Sequence, residues 1–172
     1  MKSTFFLLLG TMLAGGKLNA AEMPKVGDPA PDFTATATDG TTVRLKDYAG
    51  KSNVVLYFYP KDDTPGCTKQ ACGLRDDYAE FGKLNAVVFG VSFDSVDAHR
   101  KFTDKYKLPF LLLADTDRKI AAAYGAGSSL LPMAKRVTFV IDRQGKIAYV
   151  NPKVSPATHS AEIREVLAKL AR

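Results

Sequence analysis

Val54-Val55-Leu56-Tyr57-Phe58-Tyr59 is a run of six apolar residues closed by Pro60. A strand with one wet face alternates apolar and polar side chains. A run without alternation is what a strand covered on both faces requires. Such a strand sits inside a sheet with helices packed on either side, and 172 residues suffice for one such domain but hardly for two.

The rest of the chain fits that architecture. Asp39-Gly40 is a turn signal between β-prone runs at 33–38 and 41–45, which predicts a hairpin. Further strands are expected at 86–91 and 110–113. A late hairpin is expected over 137–141 and 147–150, turning at Arg143-Gln144-Gly145. Helical patterns cover 94–106 and 118–124. A last helix is expected to open at Ser155-Pro156 and to bury Ile163, Val166, Leu167 and Leu170, spaced i, i+3, i+4, i+7. The expected fold class is therefore α/β, a central sheet flanked by helices with an N-terminal β-hairpin.

The first twenty residues read differently. Lys2 precedes an apolar stretch over 5–16, and Leu18-Asn19-Ala20-Ala21 offers small residues for cleavage. This is the pattern of a signal peptide over 1–20, cut after Ala20 or Ala21. Its apolar part falls short of the roughly 20 residues that span a membrane, which weighs against an uncleaved anchor. The expected product is exported, to the periplasm, where paired cysteines can be oxidised. The formal net charge of +6 is scattered, without a basic run, so neither nucleic acid nor a membrane surface is an expected partner.

The chemistry concentrates after the buried strand. Lys61-Asp62-Asp63 forms a loop, Thr64 is a natural helix N-cap and Pro65 suits the first helical position. Cys67 then falls at the third helical position. There the unpaired backbone N–H groups and the positive end of the helix dipole favour an anion, here a nucleophilic thiolate. Cys67, Ala71, Leu74, Tyr78 and Phe81 form one apolar stripe, while Cys72 falls off it. Five residues along an ideal helix separate two Cα atoms by about 8.7 Å, whereas a disulfide tolerates at most about 6.8 Å. If Cys72 is to react with Cys67, the first turns must unwind, and Gly66 and Gly73 lower the cost. The bland alternative is that both cysteines are inert apolar residues.

No cofactor or metal is expected. Two cysteines and the distant His99 and His159 do not make a zinc ligand set, and both histidines read as surface or helix residues. There is no Gly-rich phosphate loop and no Trp-Cys-x-x-Cys motif.

The stretch from Tyr57 to Cys72 contains Pro60-x-x-x-Thr64-x-x-Cys67 and resembles the peroxiredoxins, specifically the bacterioferritin-comigratory-protein or peroxiredoxin Q branch. The likeness extends through Gly27-Asp28-Pro29-Ala30-Pro31-Asp32-Phe33 and Arg136-Val137-Thr138-Phe139-Val140-Ile141-Asp142. It implies a thioredoxin-like domain over 24–172 that reduces hydrogen peroxide and organic hydroperoxides. Cys67 matches the peroxidatic cysteine and Cys72 the resolving cysteine, with a disulfide between them in the cycle. Thr64 matches the active-site threonine, Pro60 the proline that shields the pocket beside Gly66, and Arg136 the activating arginine. The resemblance further implies a thioredoxin-like protein reductant and a monomer.

Two other readings compete. A general thiol–disulfide oxidoreductase of the same fold would usually carry Cys-x-x-Cys rather than a five-residue separation. A secreted binding domain with one structural disulfide conflicts with the distance across an intact helix.

Overall fold

The structure, a computed structural model, describes residues 22–128 and 130–171. The signal peptide expected over 1–20 and its cleavage point lie outside the described residues. Seven strands form one sheet in the order β2-β1-β5-β4-β3-β6-β7. The centre is parallel: β3 (Asn53–Phe58) pairs with β4 (Ala86–Ser92), and β4 with β5 (Leu111–Ala114). On one side β6 (Val137–Ile141) and β7 (Ile147–Asn151) add antiparallel strands. On the other, the hairpin β1 (Thr34–Ala37) and β2 (Thr42–Arg44) joins through an antiparallel pairing of β1 with β5. The sheet is mixed, and the hairpin extends its edge.

β3 is buried at every position, because its two faces serve two cores. Val54, Leu56 and Phe58 pack with the hairpin and with α4 (Lys119–Ala123). Val55, Tyr57 and Tyr59 pack beneath α1 (Pro65–Asp76), α2 (Tyr78–Lys83), α3 (Val96–Tyr106) and α5 (His159–Leu170). Gly90, opposite Tyr57 on β4, makes room for that ring, since a Cβ there would stand 2.7 Å from the Tyr57 hydroxyl and from Leu112.

Two boundaries differ from expectation. The stripe Cys67, Ala71, Leu74 and Phe81 is buried as one face, but the helix breaks at Asp77 into α1 and α2. The last helix opens after Thr158 rather than at Ser155-Pro156. There Ser155 accepts the Thr158 N–H at 3.2 Å, so a turn takes up the residues expected to start the helix. Among the described residues no helix is long and apolar enough to cross a membrane.

Candidate active site

The junction of β3 and α1 positions Cys67. Past Pro60 the chain turns through Lys61-Asp62-Asp63, with Asp63 at φ 56°, a left-handed conformation uncommon outside glycine. Thr64 takes the extended N-cap conformation and Pro65 opens the helix, as expected. The expected capping bond is absent, however. The Thr64 hydroxyl donates to the Lys61 carbonyl at 3.0 Å, because the tight turn brings that acceptor within reach. The Thr68 N–H is the first to bond back, to the Thr64 carbonyl at 2.8 Å. This leaves the N–H groups at the Gly66 and Cys67 end of the helix without helical acceptors.

Cys67 is 2% exposed, and the Arg136 guanidinium, carried at the entry to β6, reaches it. Arg136 Nη2 donates to Cys67 Sγ at 3.3 Å, and Nη1 donates to the Gln70 Oε1 oxygen. Gly66 permits this approach, since a Cβ there would lie 3.3 Å from Arg136 Nη2. Among the described residues Arg136 forms no ion pair with a carboxylate, so the sulfur is the group positioned to take its charge. Cys72 is half-buried on the same unbroken helix, and both cysteines are free thiols.

Behind Arg136 the polar chain continues inward. The Gln70 amide nitrogen lies 3.1 Å from His159 Nδ1, and His159 Nε2 lies 2.9 Å from the Thr138 hydroxyl. Gln70, Thr138 and His159 are all fully buried. Burial pushes the His159 pKa down to about 4, with Glu162 opposing and Arg136 adding to the effect.

A second buried histidine anchors the loop before Cys67. His99 Nδ1 lies 2.7 Å from Asp62 Oδ2, and its Nε2 lies 3.2 Å from the Leu113 carbonyl. The other Asp62 oxygen accepts from the Tyr59 hydroxyl at 2.6 Å. Asp94 accepts the Asp62 N–H at 2.9 Å. Asp63 is held from α3 by Lys105 at 2.7 Å and the Tyr106 hydroxyl at 2.7 Å. Both histidines, read from the sequence as surface or helix residues, lie on helices, and both are wholly buried because each is on the apolar face of its helix.

Comparison with known proteins decides the family. Residues 26–150 match the model of the AhpC/TSA family. Peroxiredoxin Bcp of Bacillus subtilis is 44% identical over 149 residues, 83% of this chain and 94% of that protein. The chloroplastic peroxiredoxin Q of Triticum aestivum is 40% identical over 162 residues, 93% of this chain and 71% of that protein. The chain belongs to the peroxiredoxins of the AhpC/TSA family. Among solved structures, the Mycobacterium tuberculosis peroxidoxin BcpB superimposes with a TM-score of 0.80 at 36% identity, covering 86% of this chain and 98% of that one. Peroxiredoxin Q of Xanthomonas campestris gives 0.77 at 31% identity, covering 81% and 92%. The fold is accordingly the thioredoxin-like peroxiredoxin fold, and the chain is a thiol peroxidase of the Bcp and peroxiredoxin Q branch.

In this peroxiredoxin the structure brings two of the residues singled out from the sequence, Arg136 and Gly66, to Cys67, while Cys72 is a separate free thiol on the same helix. Thr64 holds the N-cap position of that helix with its hydroxyl turned to Lys61, and Pro60 lies half-buried just past the strand that feeds it. Gln70 and the two histidines were not legible as site residues, although the apolar stripes carry a signal for each. Gln70 sits three residues after Cys67 on the buried stripe. His99 precedes buried Phe102 by three residues, and His159 precedes buried Ile163 by four. Among the described residues no three His, Cys, Asp or Glu side chains converge as metal ligands would.

Proposed function

We propose that Cys67 is the peroxidatic cysteine, Cys72 the resolving cysteine, and Arg136 the group that activates peroxide. The observation that carries this reading is the 3.3 Å contact of Arg136 with Cys67 Sγ at the buried opening of a helix. Acidity alone does not make a thiol a peroxidase, because a thiolate loses nucleophilicity as its pKa falls. The larger contribution comes from donors aimed at the oxygen that departs. Two of the five guanidinium N–H groups serve the sulfur and Gln70, so the fork keeps donors beyond those two with which to meet peroxide. The open N–H groups at Gly66 and Cys67 add to them, and the Thr64 hydroxyl can do so once it turns from Lys61.

In the first step the Cys67 thiolate attacks one peroxide oxygen. The oxygen–oxygen bond breaks, the sulfur becomes a sulfenic acid, and the second oxygen leaves with a proton as water or an alcohol. The turns between the cysteines then unwind, and the Cys72 thiol condenses with the sulfenic acid to a disulfide and water. An external dithiol, a protein of the thioredoxin type, reduces that disulfide and is itself oxidised. Hydrogen peroxide and organic hydroperoxides are the substrates. Cys67, Cys72, Gln70 and Arg136 come from one chain, which supports action as a monomer. The leader pattern at Lys2 and Ala20 supports export to the periplasm.

The experiment is peroxide turnover by Cys67→Ser with thioredoxin as donor. Turnover is expected to vanish. Activity like that of the wild type would end the proposal.

A further inference from the structure

Two buried histidines flank this site and face opposite kinds of partner. Both ring nitrogens of His99 look at oxygen acceptors, the Asp62 carboxylate and the Leu113 carbonyl. His159 instead looks at an amide nitrogen through Nδ1 and at a hydroxyl through Nε2. We infer that His159 is a positioning residue for the reaction of Cys67: its unprotonated Nδ1 fixes the Gln70 amide so that Arg136 is held against the sulfur. The same bond latches the first turns of α1 in their folded form. The inference rests on the reading of Cys67 and Arg136 proposed above.

The direction of each bond follows from the inventory of donors. Arg136 can only donate, so the Gln70 oxygen must face it and the Gln70 NH2 must face His159. His159 Nδ1 therefore accepts, the ring proton sits on Nε2, and Nε2 donates to Thr138 Oγ1. Without an acceptor at Nδ1 the amide is free to turn. Its NH2 would then meet the guanidinium, two donors face to face, and Arg136 would lose its hold.

The environment favours the neutral ring. Gln70 meets it from α1 and Thr138 from β6, while the Tyr57 ring lies 6.1 Å away on β3. Glu162 is its charged neighbour one turn along α5, and Arg136 the nearby cation. The low His159 pKa of about 4 agrees with an acceptor at Nδ1. The first turn of α5 is itself fixed. Ser160 donates to Asp77 at 2.6 Å, and Glu162 accepts from the Tyr149 hydroxyl and from Asn151 at 2.7 Å.

Gln70 lies between the two cysteines, so unwinding the helix between them must pull it from this seat. That movement leaves His159 Nδ1 buried without a donor, a cost that opposes opening. The latch therefore acts with opposite signs on two steps: it speeds attack on peroxide and slows closure of the disulfide.

The test is rapid-mixing kinetics of reduced protein with peroxide, following sulfenic acid formation and disulfide closure separately. His159→Leu is expected to slow the peroxide step about tenfold and to speed disulfide closure. His159→Asn, whose side-chain oxygen stands near the place of Nδ1, is expected to restore both rates to within about twofold. In an Arg136→Ala background His159→Leu should have no further effect on the peroxide step, because the route through Arg136 is gone. An equal loss in both backgrounds, as general destabilisation produces, overturns the inference. So does a peroxide rate unchanged by His159→Leu while Arg136→Ala slows it, a result that leaves the Arg136 reading standing. A peroxide rate unchanged by Arg136→Ala overturns both. Should His159→Leu not fold, nitrogen NMR of the reduced wild type decides: an unprotonated Nδ1 with a protonated Nε2 is expected, and a protonated Nδ1 overturns the inference.

Discussion

Arg136 approaches Cys67 from across the fold: a guanidinium at the entry of β6 places Nη2 3.3 Å from a sulfur in the first turn of α1, 69 residues earlier. Neither partner explains the site alone. The helix opening supplies open N–H groups but no mobile charge, and Arg136 supplies charge and extra donors but no nucleophile. Gly66 sits where the two meet and has no side chain to keep them apart.

Removing the guanidinium should therefore reach the chemical step directly. Arg136→Ala is expected to lower the rate constant for peroxide attack by about 10²-fold, in the range found for losing one donor to a departing oxyanion. Arg136→Lys should recover only part of it, since an ammonium cannot serve Gln70, sulfur and peroxide with one planar fork. Stopped-flow measurement checks both, and an unchanged rate for Arg136→Ala would exclude the role.

Cys72→Ser should leave the first encounter with peroxide intact and remove its continuation. One turnover is expected, followed by a stalled sulfenic acid that excess peroxide drives on to the sulfinic acid. Mass spectrometry and a thioredoxin-coupled assay check this. Full cycling of Cys72→Ser with thioredoxin would refute the resolving role.

Much of the fold was legible because the strongest patterns were the structural ones. The unbroken apolar run became the central strand β3, Asp39-Gly40 became the turn of the edge hairpin, and Thr64-Pro65 opened the helix that carries Cys67. What stayed hidden was polar and buried. Gln70 is a type usually met at the surface and histidine a type of intermediate burial, and their partners lie far along the chain: Arg136 for Gln70, Asp62 for His99, Thr138 for His159. Position on an apolar stripe signals burial for each, but it does not say which group waits at the other end. α5 opens later than Ser155-Pro156 predicts for a local reason, since that pair is an equally good opening for the turn that precedes the helix.

The buried His159 predicts a dependence of stability on pH. Its pKa of about 4 in the folded protein lies below the ordinary value of 6.5, so the unfolded chain binds the extra proton more readily. The resulting stability is fully present above pH 6.5 and is lost as the pH falls toward 4, a span that corresponds to as much as about 3 kcal/mol. Denaturant unfolding of the wild type and of His159→Asn should show the advantage of the wild type shrinking across that window. Parallel curves from pH 7 to pH 4 would contradict the assignment.

The most direct test of the central claim is to mix fully reduced protein with one equivalent of hydrogen peroxide and locate the oxidised sulfur by peptide mass mapping with a sulfenic acid trap. One trapped oxygen on Cys67 at early times, giving way to a Cys67–Cys72 disulfide, is the predicted result. Peroxide consumption with Cys67 still a free thiol, or with the first oxygen on Cys72, would contradict it.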